Sequence, residues 1–258
     1  MNIVHNRIDK DLSSYKDFLN DKEYLINTKV KNEINHSFYL LYHLTIIIED
    51  FCKIKRNDEP KVFLSEVKSD LIVIFDLMNM KYFKAARILL RSSIEQTIRF
   101  SLSIQRIKEY NTNKNKGIFG TTESLRKLRS SIDTHRTGRM TAFASDKFAN
   151  TLIKTSIENL LDSYSYLSNY VHVNTQEHIT IQNYLEDYNT VNNEEVIPFI
   201  NLFNITINDI ITIIYFFYIS MALEGRLSKR DWLYTFEMLQ PEHKEMIQLI
   251  EHSDLKSL

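Results

Sequence analysis

Apolar residues recur at steps of three and four along nearly the whole chain, the period of an amphipathic helix rather than the alternation of a strand. Breaks in that pattern divide the chain into about seven helices. A first long helix or helix pair covers residues 9–55 and closes on Lys53, Lys55 and Arg56, a cationic last turn that suits the helix dipole, before the break at Asn57 to Pro60. The next spans 61–79. A third, over 81–110, carries Ala85, Ala86, Leu89, Leu90, Ile94, Ile98, Phe100 and Leu102, and the polar run 111–117 (NTNKNKG) after it reads as the clearest loop. A short helix over 122–134 sets Leu125, Leu128 and Ile132 on one face, and His135 to Arg139 reads as a stop and a mobile connection. Ser145 and Asp146 offer N-caps to a helix over 146–173, which turns Phe148, Ile153, Ile157, Leu160, Leu161, Tyr164, Leu167 and Val171 inward. Residues 174–194 read as a polar loop. Pro198 then precedes an apolar helix running to Leu223, and Asp231 or Trp232 starts a last helix interrupted by Pro241. The expected architecture is all-α: one helical-bundle domain over 1–258, with helices from 196 onward packed on the bundle.

Composition strengthens that picture. Only 4 Gly and 3 Pro occur in 258 residues, which removes much of the turn chemistry that many-stranded folds use. Cys52 stands alone, so no intramolecular disulfide and no thiolate zinc site can form within the chain. Residues 1–20 are polar and lack the apolar stretch of a secretory signal. A cytoplasmic location is therefore expected. The most apolar run, Ile210 to Leu223, is about 14 residues against the roughly 20 that cross a bilayer. Asn204, Asn208 and Asp209 precede it and Glu224 and Arg226 follow, so the run reads as a buried helix with no membrane role.

Charge changes the functional picture more than the fold. The net charge of −1 conceals a basic middle, residues 81–139, with 14 Lys/Arg against 4 Asp/Glu. Such clustering is the electrostatic footprint of phosphate binding, on nucleic acid or on a nucleotide, although basic helix faces also pair with acidic ones in the same domain. No glycine-rich phosphate loop is present: G-x-G-x-x-G and G-x-x-x-x-G-K-[ST] are both absent, as are H-E-x-x-H and G-x-S-x-G. His172, Glu177 and His178 have no recognised ligand spacing, and the pairs Glu242/His243 and Glu251/His252 read as surface decoration, so neither metal nor cofactor is expected.

Two segments carry the remaining chemistry. In the helix over 81–110, Lys84, Arg87, Arg91, Glu95 and Arg99 form one stripe, in which Arg91 and Glu95, as i,i+4 neighbours, can pair and hold the guanidinium in a fixed direction. Small Ser92 and Ser93 beside them admit a close neighbour, whether a helix or a phosphate. Further on, Asp162, Ser165, Asn169 and His172 share a polar face, and a histidine at a helix C-terminus is suited to proton transfer near neutral pH. It is equally suited to capping that helix.

With L-L-R91-S-S-I-E95 followed, after a basic insert, by Y-x-x-L-S-N-Y-V-H172, the chain resembles the HEPN superfamily, in particular its abortive-infection and defence-associated bacterial members, over about 95 residues. The resemblance implies an all-helical, commonly dimeric protein and a metal-independent ribonuclease that uses an Arg and a His at a dimer cleft. Carried onto this sequence, His172 would move a proton at the ribose 2′-OH or the leaving 5′-oxygen, and Arg91 would stabilise the phosphorane charge. Glu95 would orient Arg91, while Arg87 and Asn169 would hold a neighbouring phosphate. Products would carry 2′,3′-cyclic phosphate and 5′-hydroxyl ends, with RNA, including tRNA, as substrate. The usual family motif keeps Arg and His on one helix with four to six residues between them; Arg129 and His135 alone meet that spacing here and stand as the alternative pair. The second functional class is a non-catalytic module, binding RNA or a partner protein within an antiphage defence system.

Overall fold

The computed structural model describes residues 2–54, 58–172, 193–221, 223 and 227–253. All regular structure among them is helical: ten α-helices and one 3₁₀ turn, where the hydrophobic pattern predicts about seven helices. They are α1 (Asn2–Asp21), α2 (Lys31–Cys52), α3 (Asp58–Asn79), α4 (Phe83–Asn115), α5 (Glu123–Ile132), α6 (Thr137–Phe148), α7 (Lys154–His172), α8 (Asn193–Ser220), α9 (Lys229–Met238) and α10 (Pro241–Glu251).

Each extra boundary has a local cause. The first predicted segment divides at the 3₁₀ turn Leu25–Asn27, where buried Leu25 anchors the chain and the Ile26 N–H donates to Asn79 Oδ1 at the end of α3 (3.0 Å). The polar run after residue 110 is helical through Asn115, because nothing in Asn-Thr-Asn-Lys-Asn forbids the helix; glycine ends it. Gly117 takes φ of 76°, its N–H donates to the Lys114 carbonyl (3.0 Å) and the Ile118 N–H to that of Asn113 (2.9 Å), the paired closing bonds of a left-handed C-cap. Gly138 lies in the first turn of α6 instead of stopping a helix, and Ser145 and Asp146 lie within α6 instead of capping the next one. A turn at Phe148–Lys154, in which the Thr151 N–H and hydroxyl both donate to the Phe148 carbonyl, separates α6 from α7. Pro198 sits inside α8, which begins at Asn193, and Pro241 opens α10, where a missing N–H costs nothing.

The core is one continuous cluster from Leu25 to Ile250, organised around α8. This 28-residue helix is long and apolar enough to cross a membrane, and 89% of its most apolar stretch is buried within the protein against α2, α4, α7 and α10. Phe217 meets Phe100 of α4 and Phe148 of α6 edge-on, and Tyr218 meets Phe51 of α2 in the same way. Helices α3 and α4 form a long antiparallel hairpin whose tight turn holds Lys81 at φ of 66°, its ammonium bound to Glu23. Beside that hairpin α7 runs antiparallel to α4, so the end of α7 lies level with the start of α4.

Candidate functional site

Arg91 and the segment ending in His172 are brought together by the α4–α7 packing. Arg91 Nε donates to Ser168 Oγ at 3.0 Å, its Nη2 donates to the Tyr164 hydroxyl, and its guanidinium carbon lies 4.6 Å from the centre of the Tyr164 ring. Ser168 in turn donates to the Tyr164 carbonyl (2.8 Å), the back-bond that a serine within a helix makes to its own backbone. Arg91 is half-buried at the edge of the core. His172 closes α7 one turn beyond Ser168; its side chain lies outside the described residues. Asn169 is exposed, and Glu177 and His178 fall outside the described residues.

Glu95 does not orient Arg91. Its carboxylate pairs with Arg99, one turn further on, at 2.9 Å. Arg99 also donates to the Thr134 carbonyl (2.9 Å) and to that of Ile132, so it closes the C-terminus of α5 and Glu95 is its counter-ion. Glu at i with Arg at i+4 is the better of the two orders around the helix dipole, a signal already present in the sequence. Ser92 and Ser93 make room for a helix: Ser93 is fully buried and bonded to the Leu89 carbonyl, and both serines face Asp70 of α3, whose carboxyl burial pushes up in pKa. Arg129 reaches Asp133 (2.6 Å) and Glu59 (3.0 Å) while His135 is exposed beyond the end of α5, and no contact joins the two.

Among the described residues, six of the 14 cations in 81–139 hold ion pairs: Lys81, Arg87, Arg99, Arg106, Lys127 and Arg129. Glu23, Glu59 and Glu195, all from outside the segment, supply several of their partners. The basic middle is thus partly answered within the protein. Lys84, Lys114, Lys116, Arg136 and Arg139 stay exposed.

One turn before Arg91, Arg87 is buried (7% exposed) at a cavity of about 170 Å³ between the end of α7 and the start of α8. Its guanidinium carbon lies 4.4 Å from the centre of the Tyr170 ring and 5.7 Å from that of Phe199, and its Nη2 is 3.6 Å from Glu195 Oε2. Tyr166 and Tyr170 join hydroxyls at 2.9 Å on the polar side, and Pro198 and Phe199 form an apolar wall. Burial, then the neighbouring Tyr170 hydroxyl, pushes the Tyr166 phenol up to about 12, so it remains a hydrogen-bond donor at neutral pH.

A second polar cluster escapes the sequence-based expectation. His243, read as surface decoration, is 4% exposed, and its Nε2 lies 3.0 Å from Oδ1 of fully buried Asp209 in α8. Asn159 of α7 donates to the same oxygen (3.3 Å). Burial pushes the Asp209 carboxyl up despite these contacts. The signal was the spacing: His243 lies three and four apart in step with Ile247 and Ile250 on the inward face of α10, and Asp209 lies within the apolar run. Among the described residues no group of three or more metal-ligating side chains occurs. No family model, curated protein or solved structure matches the chain.

Proposed function

We propose that the protein is a HEPN-like defence or toxin-type endoribonuclease whose site is the α4–α7 face. Arg91 stabilises charge on the reacting phosphate and His172 moves the proton at the 2′-OH or the leaving 5′-oxygen, giving 2′,3′-cyclic phosphate ends. Supporting this reading is the 3.0 Å bond from Arg91 to Ser168, which ties the two motif segments to each other across 77 positions of sequence. Glu95 acts at a distance, holding Arg99 and with it the end of α5. Two copies of the chain would pair so that their α7 ends share the cleft, as the resemblance implies.

The test is incubation of wild type, Arg91→Lys and His172→Ala with total RNA and tRNA in EDTA, followed by end-group analysis. Cyclic-phosphate fragments from wild type alone are expected. Wild type that leaves RNA intact, or variants that cut at the wild-type rate, would overturn the assignment. One observation favours a second reading, a non-catalytic RNA- or protein-binding module of a defence system: Arg91 already commits its Nε–H and one Nη2–H to Ser168 and Tyr164, inside the protein. On that reading the protein retains RNA on a filter without shortening it.

A further inference from the structure

The guanidinium of Arg87 is buried beside the cavity and held by one long ion pair and two ring faces. An arginine presents five N–H donors, yet among the described residues Arg87 makes no hydrogen bond. Its one carboxylate partner, Glu195, stands off at 3.6 Å, beyond hydrogen-bonding distance, and is itself 47% exposed. Tyr170 and Phe199 meet the guanidinium through their ring faces, contacts that engage its π-surface and leave its edge donors available. Those donors border the cavity, where an acceptor that enters it can reach them. Around that cavity stand further hydroxyl groups, from Tyr166 and Tyr170, and an apolar wall of Pro198, Phe199 and Leu202. Its volume of about 170 Å³ falls below the roughly 300–1,000 Å³ of sites that enclose whole small molecules. It suits one functional group of a larger ligand.

We propose that this cavity is a phosphate pocket in which Glu195 stands as a loose counter-ion until a phosphate oxyanion takes its place on Arg87. A tetrahedral oxyanion offers the paired acceptors that an arginine edge fits, and Glu195, on the first turns of α8 and half-exposed, can turn to solvent as the phosphate enters. The inference rests on the RNA reading only for the source of that phosphate: it is the group next to the scissile one, held one helical turn from Arg91. A free nucleoside monophosphate would present the same chemistry.

The test is thermal unfolding and equilibrium dialysis with inorganic phosphate, a nucleoside 5′-monophosphate and a short single-stranded RNA lacking terminal phosphate, all in EDTA. Phosphate is expected to stabilise wild type, since a ligand bound only by the folded state raises its midpoint. Glu195→Gln, which removes the competing charge, should bind phosphate roughly ten-fold more tightly. Arg87→Lys, which keeps the charge but loses the fork, should lose the response, and Glu158→Gln, an exposed acid of α7, should match wild type. Saturation by the RNA assigns the pocket to the substrate backbone, and saturation by the monophosphate alone assigns it to a free ligand. Equal phosphate affinity in wild type and Glu195→Gln, or an undiminished response in Arg87→Lys, would overturn the pocket. Because these measurements need no cleavage, phosphate binding by a protein that cuts no RNA sinks the nuclease reading alone, and cleavage without phosphate binding sinks the pocket alone.

Discussion

Arg91 is expected to hold α4 to α7 as well as to serve chemistry, and Arg91→Ala separates the two roles. The substitution removes two hydrogen bonds from a cation, to Ser168 and Tyr164, and the cation–π contact with the Tyr164 ring. Ser168 keeps its bond to the Tyr164 carbonyl, so it is not orphaned. The Tyr164 hydroxyl loses its partner in a residue only 9% exposed. Hydrogen bonds to charged groups contribute about 1.5–3 kcal/mol each and a part-exposed cation–π contact about 0.5–1 kcal/mol. With water able to reach the half-buried arginine site, a net loss of about 3 kcal/mol follows. Urea unfolding of wild type, Arg91→Ala, Tyr164→Phe and the double variant measures this directly, and the cycle should return at least about 1 kcal/mol of coupling between the two side chains. A loss below about 1 kcal/mol for Arg91→Ala, or a coupling near zero, would refute the structural role. Activity assays on Arg91→Ala must then be run well below its own unfolding midpoint, with Arg91→Lys as the better chemical probe.

Four further outcomes follow from other parts of the molecule. The Asp209 carboxyl is raised in the folded state above its ordinary value near 3.8, so its contribution to stability is present below that value and is lost as pH rises through the folded pKa; urea midpoints should show this decline, and Asp209→Asn should flatten it. Gly117→Ala places a Cβ at φ of 76° and should destabilise the end of α4 by about 1 kcal/mol. Gly120→Ala, with open space around its Cβ and no positive φ, should leave the thermal midpoint within about 1 °C. Thr122→Ala removes the side-chain acceptor of the Leu125 N–H at the start of α5 and should cost about 1 kcal/mol by urea unfolding.

Periodicity reveals which faces turn inward far better than it reveals where helices stop. Ile157, Leu160, Tyr164 and Leu167 are buried along α7, and Ile153 just before it, as their spacing predicts. The division between α6 and α7 is invisible to that signal, because Phe148 and Ile153 continue the apolar rhythm across a turn made by Thr151. The end of α4 escapes it for the opposite reason: polar residues 111–115 are helical because a helix only needs a stop, and the stop is Gly117. In the candidate site, the stripe from Lys84 to Arg99 was legible and its internal pairing was not. Glu95 is an i,i+4 neighbour of both Arg91 and Arg99, and the choice between them depends on carbonyls at and just past the end of α5, more than thirty residues away in sequence. Next to Glu242, His243 resembles half of a surface pair, whereas its step from Ile247 and Ile250 turns it inward.

The band of polar side chains within α8 has a consequence for how uniquely the bundle assembles. A helix that is apolar on every side is close to indifferent to its own rotation and slide, since most of its faces bury equally well. Asn208 and Asp209 remove that freedom. The Asn208 side-chain carbonyl accepts the Gln240 N–H at the point where α10 begins, and Asp209 meets Asn159 on one side and His243 on the other. Turning α8 by a single residue, about 100°, would strand a buried carboxyl and an amide together. These two residues act as keys cut into an otherwise smooth shaft, setting one angular position and one height for the helix on which α7 and α10 are aligned, and so setting where the end of α7 meets Arg87.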